Sequence, residues 1–151
     1  MGAGRTRRPC KMYGHLLYLR CCRQATTASV AHREAHGERT NRMLFEQHYL
    51  DCLSQASYVI ADESTKRAVV VDPRRDVSPY LETAEEHGLT IELVLETHFH
   101  ADFLSGHLEL AAATGAEIGY GDVAVTEFES RGFADGERYS LGDVTLEIRH
   151  T

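Results

Sequence analysis

The residues that could carry chemistry are concentrated in one short segment, Glu96–His107. Within it, His98, His100 and Asp102 fall at positions i, i+2 and i+4. In an extended backbone, side chains at this spacing point the same way. Two imidazoles and a carboxylate that converge suit zinc, iron or manganese. The sequence therefore predicts a metal site built from these three side chains, with His107 a weaker candidate.

Two predicted elements position this segment. A buried strand over residues 91–96 precedes it, and a helix over residues 104–114 follows it. The segment thus lies on a loop at the C-terminal end of a strand, where the sites of α/β sheets collect. The alternate positions are apolar and are expected to face the interior: Phe99, Ala101 and Phe103. The helix is expected to present one apolar stripe: Leu104, Leu108, Ala111 and Ala112.

Hydrophobic periodicity divides the rest of the chain after residue 42 into short strands and helices. The predicted strands cover 44–50, 57–62, 67–72, 91–96, 116–120, 136–140 and 144–149, and the predicted helices cover 79–87 and 104–114. Polar residues 62–67 separate the second and third strands, which indicates a hairpin. A hairpin followed by strand–helix–strand predicts an α/β fold, with a mixed β-sheet and helices packed on it.

Charge divides the 151 residues at Met43 more sharply than the net charge of −7 suggests. Residues 1–42 hold nine Lys/Arg and two Glu, a net of +7, whereas residues 43–151 hold seven Lys/Arg and 21 Asp/Glu, a net of −14. We expect 1–42 to be a basic, disordered head and 43–151 to be the folded domain. The head extends upstream of the natural start at Met43, is an organelle transit peptide, or is a tail of another kind.

Composition excludes several function classes. No stretch approaches the ~18–20 apolar residues that cross a bilayer, so a membrane partner is not expected. A body with a charge of −14 repels a phosphate backbone, which argues against nucleic acid. Only Cys52 of the four cysteines lies in the body, so the domain has no internal disulfide, as suits a reducing compartment.

Several motifs carry a family resemblance. The stretch Thr97–Asp102 resembles the His-x-His-x-Asp-His metal motif of the metallo-β-lactamase-fold superfamily, and Val69–Pro73 resembles its first motif, whose aspartate (here Asp72) supports the metal-binding loop. Three stretches together look like the persulfide dioxygenase-like branch of that superfamily: Phe45–Ser57, Asp72–Asp76 and Thr97–His107. The resemblance covers residues 43–151 and none of the head.

The resemblance implies a fold and an activity. The fold is a partial αββα metallo-β-lactamase sandwich whose second half is missing from this sequence. The implied enzyme holds one Fe(II) and oxidises glutathione persulfide, a small-molecule thiol derivative, to sulfite and glutathione. His98 is the ligand that the resemblance implies, while His100 and Asp102 either ligate or act catalytically by orienting ligands and water. Homodimerisation is one option, and the expected location is the bacterial cytoplasm, or the mitochondrion if the head is a transit peptide.

One departure from the family motif bears on the metal. Phe103 stands where the motif has its last histidine, which serves a second ion in binuclear hydrolases. Its loss favours a single Fe(II), with Zn(II) as the alternative. A second departure is that the sequence ends at Thr151, where the family's next ligand segment would begin. We therefore expect this chain alone to bind metal weakly and to be inactive or weakly active.

Two alternatives to the dioxygenase remain open. A hydrolase of the same fold, similar to hydroxyacylglutathione hydrolase, would use a metal-bound hydroxide on a thioester. The other is an inactive fragment. Arg74 and Arg75 could attract the carboxylates of glutathione, but the sequence favours their being solvated charges of a turn.

Overall fold

Nine strands, two α-helices and one 3-10 turn make up the part of the chain that the computed structural model describes, residues 17–23 and 43–151. The strands are β1 (Leu17–Arg23), β2 (Met43–Leu50), β3 (Gln55–Asp62), β4 (Arg67–Val71), β5 (Thr90–Leu95), β6 (Glu117–Gly121), β7 (Arg131–Phe133), β8 (Arg138–Ser140) and β9 (Val144–His150). The helices are α1 (Ser78–His87) and α2 (His107–Thr114), and the 3-10 turn is Asp51–Leu53.

The larger sheet has six strands in the order β2-β3-β4-β5-β6-β7. Strands β2, β3 and β4 pair antiparallel, which confirms the predicted hairpin, and β4 to β7 run parallel. Helix α1 connects β4 to β5, and α2 connects β5 to β6. The carboxyl ends of β4, β5 and β6 therefore meet at one edge of the sheet, where the predicted metal-binding segment follows β5.

A smaller antiparallel sheet, in the order β1-β9-β8, packs on one face of the larger one. Apolar side chains of both sheets fill the layer between them, among them Ile60, Val69, Leu93, Leu146 and Ile148. Each is at most 2% exposed, so this layer is a closed core.

The helices cover the opposite face of the larger sheet. Tyr80 and Ala84 of α1 and Leu110 of α2 pack on a second apolar cluster that includes Val70 and Val94. The layers are thus helix, sheet, sheet. Strands β4 and β5 are apolar on both faces because each face is covered, as parallel strands require.

The observed elements confirm the predicted α/β mixed sheet. Strand β7 was not predicted, nor was β1, which lies within the head; residues 1–16 and 24–42 of the head lie outside the described residues. No helix among the described residues is long and apolar enough to cross a membrane.

The second predicted helix is shorter than expected, because it begins at His107 rather than near residue 104. The predicted apolar stripe does not become buried: Leu104 is 66% exposed and Leu108 is half exposed, whereas Leu110 is fully buried. Residues 104–106 are not helical, so the helix begins three residues later than predicted. A different set of side chains therefore faces the sheet.

The end of the molecule opposite the predicted metal segment is closed by Asp62, the last residue of β3. Its buried carboxylate accepts hydrogen bonds from the backbone N–H and hydroxyl of Ser64 (2.8 and 2.6 Å) and from the backbone N–H groups of Asp143 and Val144. Burial alone would raise the pKa of Asp62, but these hydrogen bonds outweigh it and hold the pKa below its usual value. Asp62 therefore ties the larger sheet to the smaller one.

Candidate metal centre

The candidate centre lies where β4 and β5 end. Asp72, the first residue after β4, has a positive φ of 50°, and its backbone N–H donates to the Leu95 carbonyl (3.0 Å). The side-chain amide of buried Gln55 donates to the Asp72 carbonyl (2.7 Å). A left-handed backbone is costly for most residues but less so for aspartate. These contacts hold it in place and aim the Asp72 carboxylate at the loop after β5.

The Asp72 carboxylate fixes the start of that loop. It accepts hydrogen bonds from the backbone N–H of Thr97 and from its hydroxyl, both 2.7 Å. The same hydroxyl lies 2.8 Å from His98 Nδ1. Because the hydroxyl proton is donated to Asp72, His98 Nδ1 must be the donor in this second contact. The lone pair of His98 therefore resides on Nε2, the nitrogen that could ligate a metal. Asp72 thus contacts the loop that it was predicted to support, and its role at a metal stays a prediction.

His100 is far more enclosed than Asp102. Its side chain is 7% exposed, and Nε2 lies 3.1 Å from Asp72 Oδ1 and 3.3 Å from Glu96 Oε2. Burial alone would lower the pKa of His100, but the two carboxylates outweigh it and raise the pKa to about 9. Its ring stacks against His98 at a centroid distance of 4.1 Å. His100 Nε2 thus lies between two buried carboxylates. When protonated it places a positive charge there, and when neutral it offers a nitrogen ligand.

Glu96 is a site residue that the sequence analysis missed. Its side chain is 1% exposed; Oε1 accepts a hydrogen bond from the Ser105 hydroxyl (2.6 Å) and lies 3.7 Å from His107 Nδ1. Burial, the largest influence, raises the pKa of Glu96. The sequence placed Glu96 at the end of a buried strand, and its spacing of four residues from His100 was the available signal.

Asp102 lies at the outer side of the centre. Its side chain is 73% exposed, and Oδ1 is 3.9 Å from His100 Nδ1. The structure therefore brings His98, His100 and Asp102 next to one another, with Asp102 open to solvent. That these three side chains ligate a metal stays a prediction.

The expectation that the intervening apolar residues face the interior is wrong. Phe99 is 57% exposed, Ala101 is exposed, and Phe103 is half-buried against the His100 ring at a centroid distance of 4.2 Å. The reason is that residues 97–103 run through bends instead of an extended strand, so a period of two does not apply.

The donor set fits a divalent cation. Ligand atoms of Asp72, Glu96 and His100 lie within 4.8 Å of one another. His100 Nε2 and Glu96 Oε2 are buried and lack a properly oriented hydrogen bond within the described part of the chain. A cation bound between them would satisfy both atoms. His100 thus belongs to two candidate ligand sets, an inner one through Nε2 with Asp72 and Glu96, and an outer one through Nδ1 with His98 and Asp102.

The two loops of the centre are joined by close backbone contacts. Gly106 N–H donates to the Pro73 carbonyl (2.9 Å), and Arg74 pairs with Ser105 in an isolated β-bridge. A Cβ on Gly106 would overlap the Arg74 carbonyl oxygen, so only glycine permits this approach. Ser105 links both loops, since its hydroxyl contacts the Pro73 carbonyl and Glu96.

Comparison with known proteins agrees with this arrangement. Residues 50–149, more than half of the chain, match the model of the metallo-beta-lactamase superfamily. The chain belongs to this superfamily. Curated relatives include a hydroxyacylglutathione hydrolase of Rhodospirillum rubrum, 34% identical over 62% of this chain and 37% of that protein, and a beta-lactamase hydrolase-like protein of Xylella fastidiosa, 30% identical over 60% of this chain and 28% of that protein. The chain thus spans about a third of the length of these relatives.

Two solved structures are similar in fold. A metallo-beta-lactamase from Staphylococcus aureus superposes with a TM-score of 0.69 and 36% identity, covering 74% of this chain and 35% of that one. ETHE1 from Myxococcus xanthus superposes with a TM-score of 0.63 and 30% identity, covering 68% of this chain and 46% of that one. The fold is therefore a partial metallo-beta-lactamase fold, as the resemblance implied.

Proposed function

We propose that this chain supplies part of the metal centre of an enzyme that cleaves a bond to the sulfur of a small glutathione derivative. Superfamily membership and the convergence of Asp72, Glu96 and His100 support a metal-dependent enzyme. The observation that carries the proposal is the close approach of two buried atoms, His100 Nε2 and Glu96 Oε2, which lie 3.3 Å apart without a properly oriented hydrogen bond. Because the matched segment covers only about a third of the length of these relatives, the activity is proposed for a complete domain of this kind.

Hydrolysis of a hydroxyacylglutathione thioester is the first candidate reaction. Relatives named hydroxyacylglutathione hydrolase, at 34% and 40% identity, support it more directly than they support the dioxygenase implied by the sequence motifs. A bound metal would supply Lewis acidity and a water of lowered pKa. Within this chain, Asp72 and Thr97 hold the loop, and the exposed Asp102 carboxylate lies next to His100, where it can accept a hydrogen bond from an attacking water.

Persulfide oxidation is the second candidate, and Phe103 is the observation that favours it. This ring occupies the motif position of a second-metal histidine and packs directly on His100. A phenyl ring cannot ligate, so a second ion would lack one of its ligands. A single Fe(II) centre suits oxidation of glutathione persulfide with O₂ and water to sulfite and glutathione.

Metal analysis combined with two assays separates these candidates. The chain is loaded with Zn(II) or, anaerobically, with Fe(II), and its metal content is measured beside His98→Ala and the matched control His87→Ala. We expect His87→Ala to retain metal, and His98→Ala to lose it if the outer ligand set, which contains His98, is used. Equal metal content in the two variants would remove His98 from the site. Glu96→Gln weakens binding if the inner ligand set is used, and Asp102→Asn weakens it if the outer set is used.

Activity then assigns the reaction. Thioester cleavage without oxygen consumption supports the hydrolase, whereas oxygen uptake with sulfite release from glutathione persulfide supports the dioxygenase. Both assays are run on the 151-residue chain and on a chain extended to the length of its relatives. Loss of both activities in the extended chain, with metal bound, would refute the proposal.

A further inference from the structure

A cavity of about 500 Å³ lies beside the candidate centre, and Phe103, which packs on the His100 ring, lines it. Its walls include the apolar side chains of Leu50, Leu53 and Leu104, and its charged lining consists of two arginines and one aspartate, Arg74, Arg75 and Asp76. We call it the Arg74 pocket. Leu53 and Leu104 are 49% and 66% exposed, so the pocket opens to solvent. It combines apolar walls with a cation, a combination that suits an organic anion.

Arg74 is poorly paired for a guanidinium that is only 22% exposed. Within the described residues its side-chain contacts are long ones to Asp76, 3.4 Å to the carbonyl and 3.7 Å to the carboxylate. Arg67 offers a contrast, since it binds Glu92 through two short hydrogen bonds of 2.7 and 2.6 Å. A guanidinium has five N–H donors, so Arg74 retains capacity for a bidentate acceptor.

The charged neighbours of Arg74 leave its remaining N–H donors free to bind an anion. The Asp76 carboxylate is engaged by the backbone N–H of Ser78 at the start of α1 (3.1 Å). Arg75, the other arginine of the pocket, already binds Glu109 at 2.7 Å. Arg74 is therefore the cation of the pocket that can accept a new anionic partner.

Rigid contacts hold Arg74 in position. Its backbone N–H donates to the Tyr80 hydroxyl (2.9 Å), and its backbone pairs with Ser105 of the metal-binding loop. Phe103 contacts the His100 ring and also lines the pocket. The pocket and the candidate centre thus share one side chain, Phe103, and lie next to each other.

We propose that the Arg74 pocket binds a carboxylate of the substrate and so selects anionic thiol derivatives over neutral ones. This proposal rests on the proposed function, because it assumes that the substrate is a glutathione derivative. The sequence alone favoured Arg74 as a solvated charge of a turn. The proposal instead gives Arg74 a ligand-binding role. The apolar walls strengthen the interaction, since they exclude water from one side of the ion pair.

The test is equilibrium binding of S-methylglutathione, a thioether that is neither a thioester nor a persulfide, by calorimetry on the full chain without added metal. We expect Arg74→Gln to weaken binding about tenfold or more, as expected from loss of a charged hydrogen-bond pair. The matched control Arg138→Gln, at an exposed position in β8, should bind as the parent does. The diethyl ester of the probe, which lacks both carboxylates, should also bind at least tenfold more weakly.

A second variant guards against loss of folding. Leu104→Glu places a carboxylate at an exposed position beside Arg74 and should also weaken binding, without a change in melting temperature. Rising salt should weaken binding of the parent chain. Absence of binding to the parent, equal affinity of Arg74→Gln and Arg138→Gln, or equal affinity for diacid and diester would each overturn the proposal.

These outcomes are distinguishable from failure of the proposed function. If the probe binds through Arg74 but the extended chain shows neither activity, the function fails and the pocket stands. If activity is present and Arg74→Gln leaves KM unchanged, the pocket fails and the function stands.

Discussion

Two buried aspartates end neighbouring strands at opposite ends of the six-stranded sheet, and they have different surroundings. Asp62 accepts hydrogen bonds from Ser64, Asp143 and Val144, all from neutral donors. Asp72 accepts two from Thr97 but also faces the His100 imidazole. The Asp62 carboxylate has its hydrogen bonds satisfied by neutral donors and connects the two sheets. The Asp72 carboxylate shares its space with an imidazole and another acid, in contacts that are not properly oriented hydrogen bonds, and this arrangement suits a cation.

The largest expected effect is at the Asp62 end. Gly142 has a φ of 125°, and a Cβ there would lie 2.5 Å from Thr65 Cγ2 and 2.7 Å from Asp62 Oδ2. Gly142→Ala should lower the free energy of unfolding by roughly 3 kcal/mol or more, from overpacking and backbone strain together. Urea unfolding measures it. The control is Gly136→Ala, whose Cβ would meet only Arg149 at 3.8 Å; equal losses in both would show that φ alone matters.

Asp62→Asn should cost about 2–3 kcal/mol of unfolding free energy, since it removes a charged acceptor that serves two loops. The same substitution at Asp143, whose backbone N–H and not its carboxylate makes the contact with Asp62, is the matched control and should cost far less. If the two variants unfold at the same urea concentration, Asp62 is not the tie between the sheets.

Asp72→Asn tests the other member of the pair. Asparagine tolerates the left-handed backbone and still accepts a hydrogen bond from Thr97, so the unfolding free energy should change by less than about 1 kcal/mol. Zinc affinity, measured by competition with a chromophoric chelator, should fall about ten- to a hundredfold. Asp143→Asn, far from the centre, should leave the affinity unchanged. A large stability loss with unchanged affinity would make Asp72 structural like Asp62.

The smallest expected effect is the pH dependence at Asp62. Its pKa in the folded chain lies below the ordinary value of 3.8, so its contribution is fully present above that value and is lost as the pH falls through the folded pKa. The difference in unfolding free energy between the parent chain and Asp62→Asn should therefore shrink as the pH falls below about 4. A difference that stays constant down to pH 2 would contradict the lowered pKa.

Much of the fold could be predicted from the sequence because most of its strands are long or rich in β-branched residues. The stretch over residues 67–72 and the hairpin before it were predicted within a few residues. Strand β7, three residues long with a glycine at its centre, carries no periodic signal of its own. It forms because β6 provides a parallel partner, which is a tertiary effect.

The centre was predicted in part for a similar reason. His98 and His100 stand out by residue type and spacing, and the structure places their rings together. Glu96 does not stand out, because a glutamate at a strand end resembles an ordinary polar residue until the loop folds His100 back over it. The predicted orientation of the Phe99 and Phe103 side chains was wrong because this segment forms bends and not an extended strand.

The positive φ of Asp72 has a consequence for mutational tolerance. The backbone accepts glycine, asparagine or aspartate there with least strain, and the hydrogen bonds from Thr97 exclude glycine, which has no acceptor side chain. Two residue types remain, and they differ in charge but hardly in shape. In a saturation scan of position 72, selection for folding should therefore retain both aspartate and asparagine. A second selection, for metal binding, should retain aspartate alone.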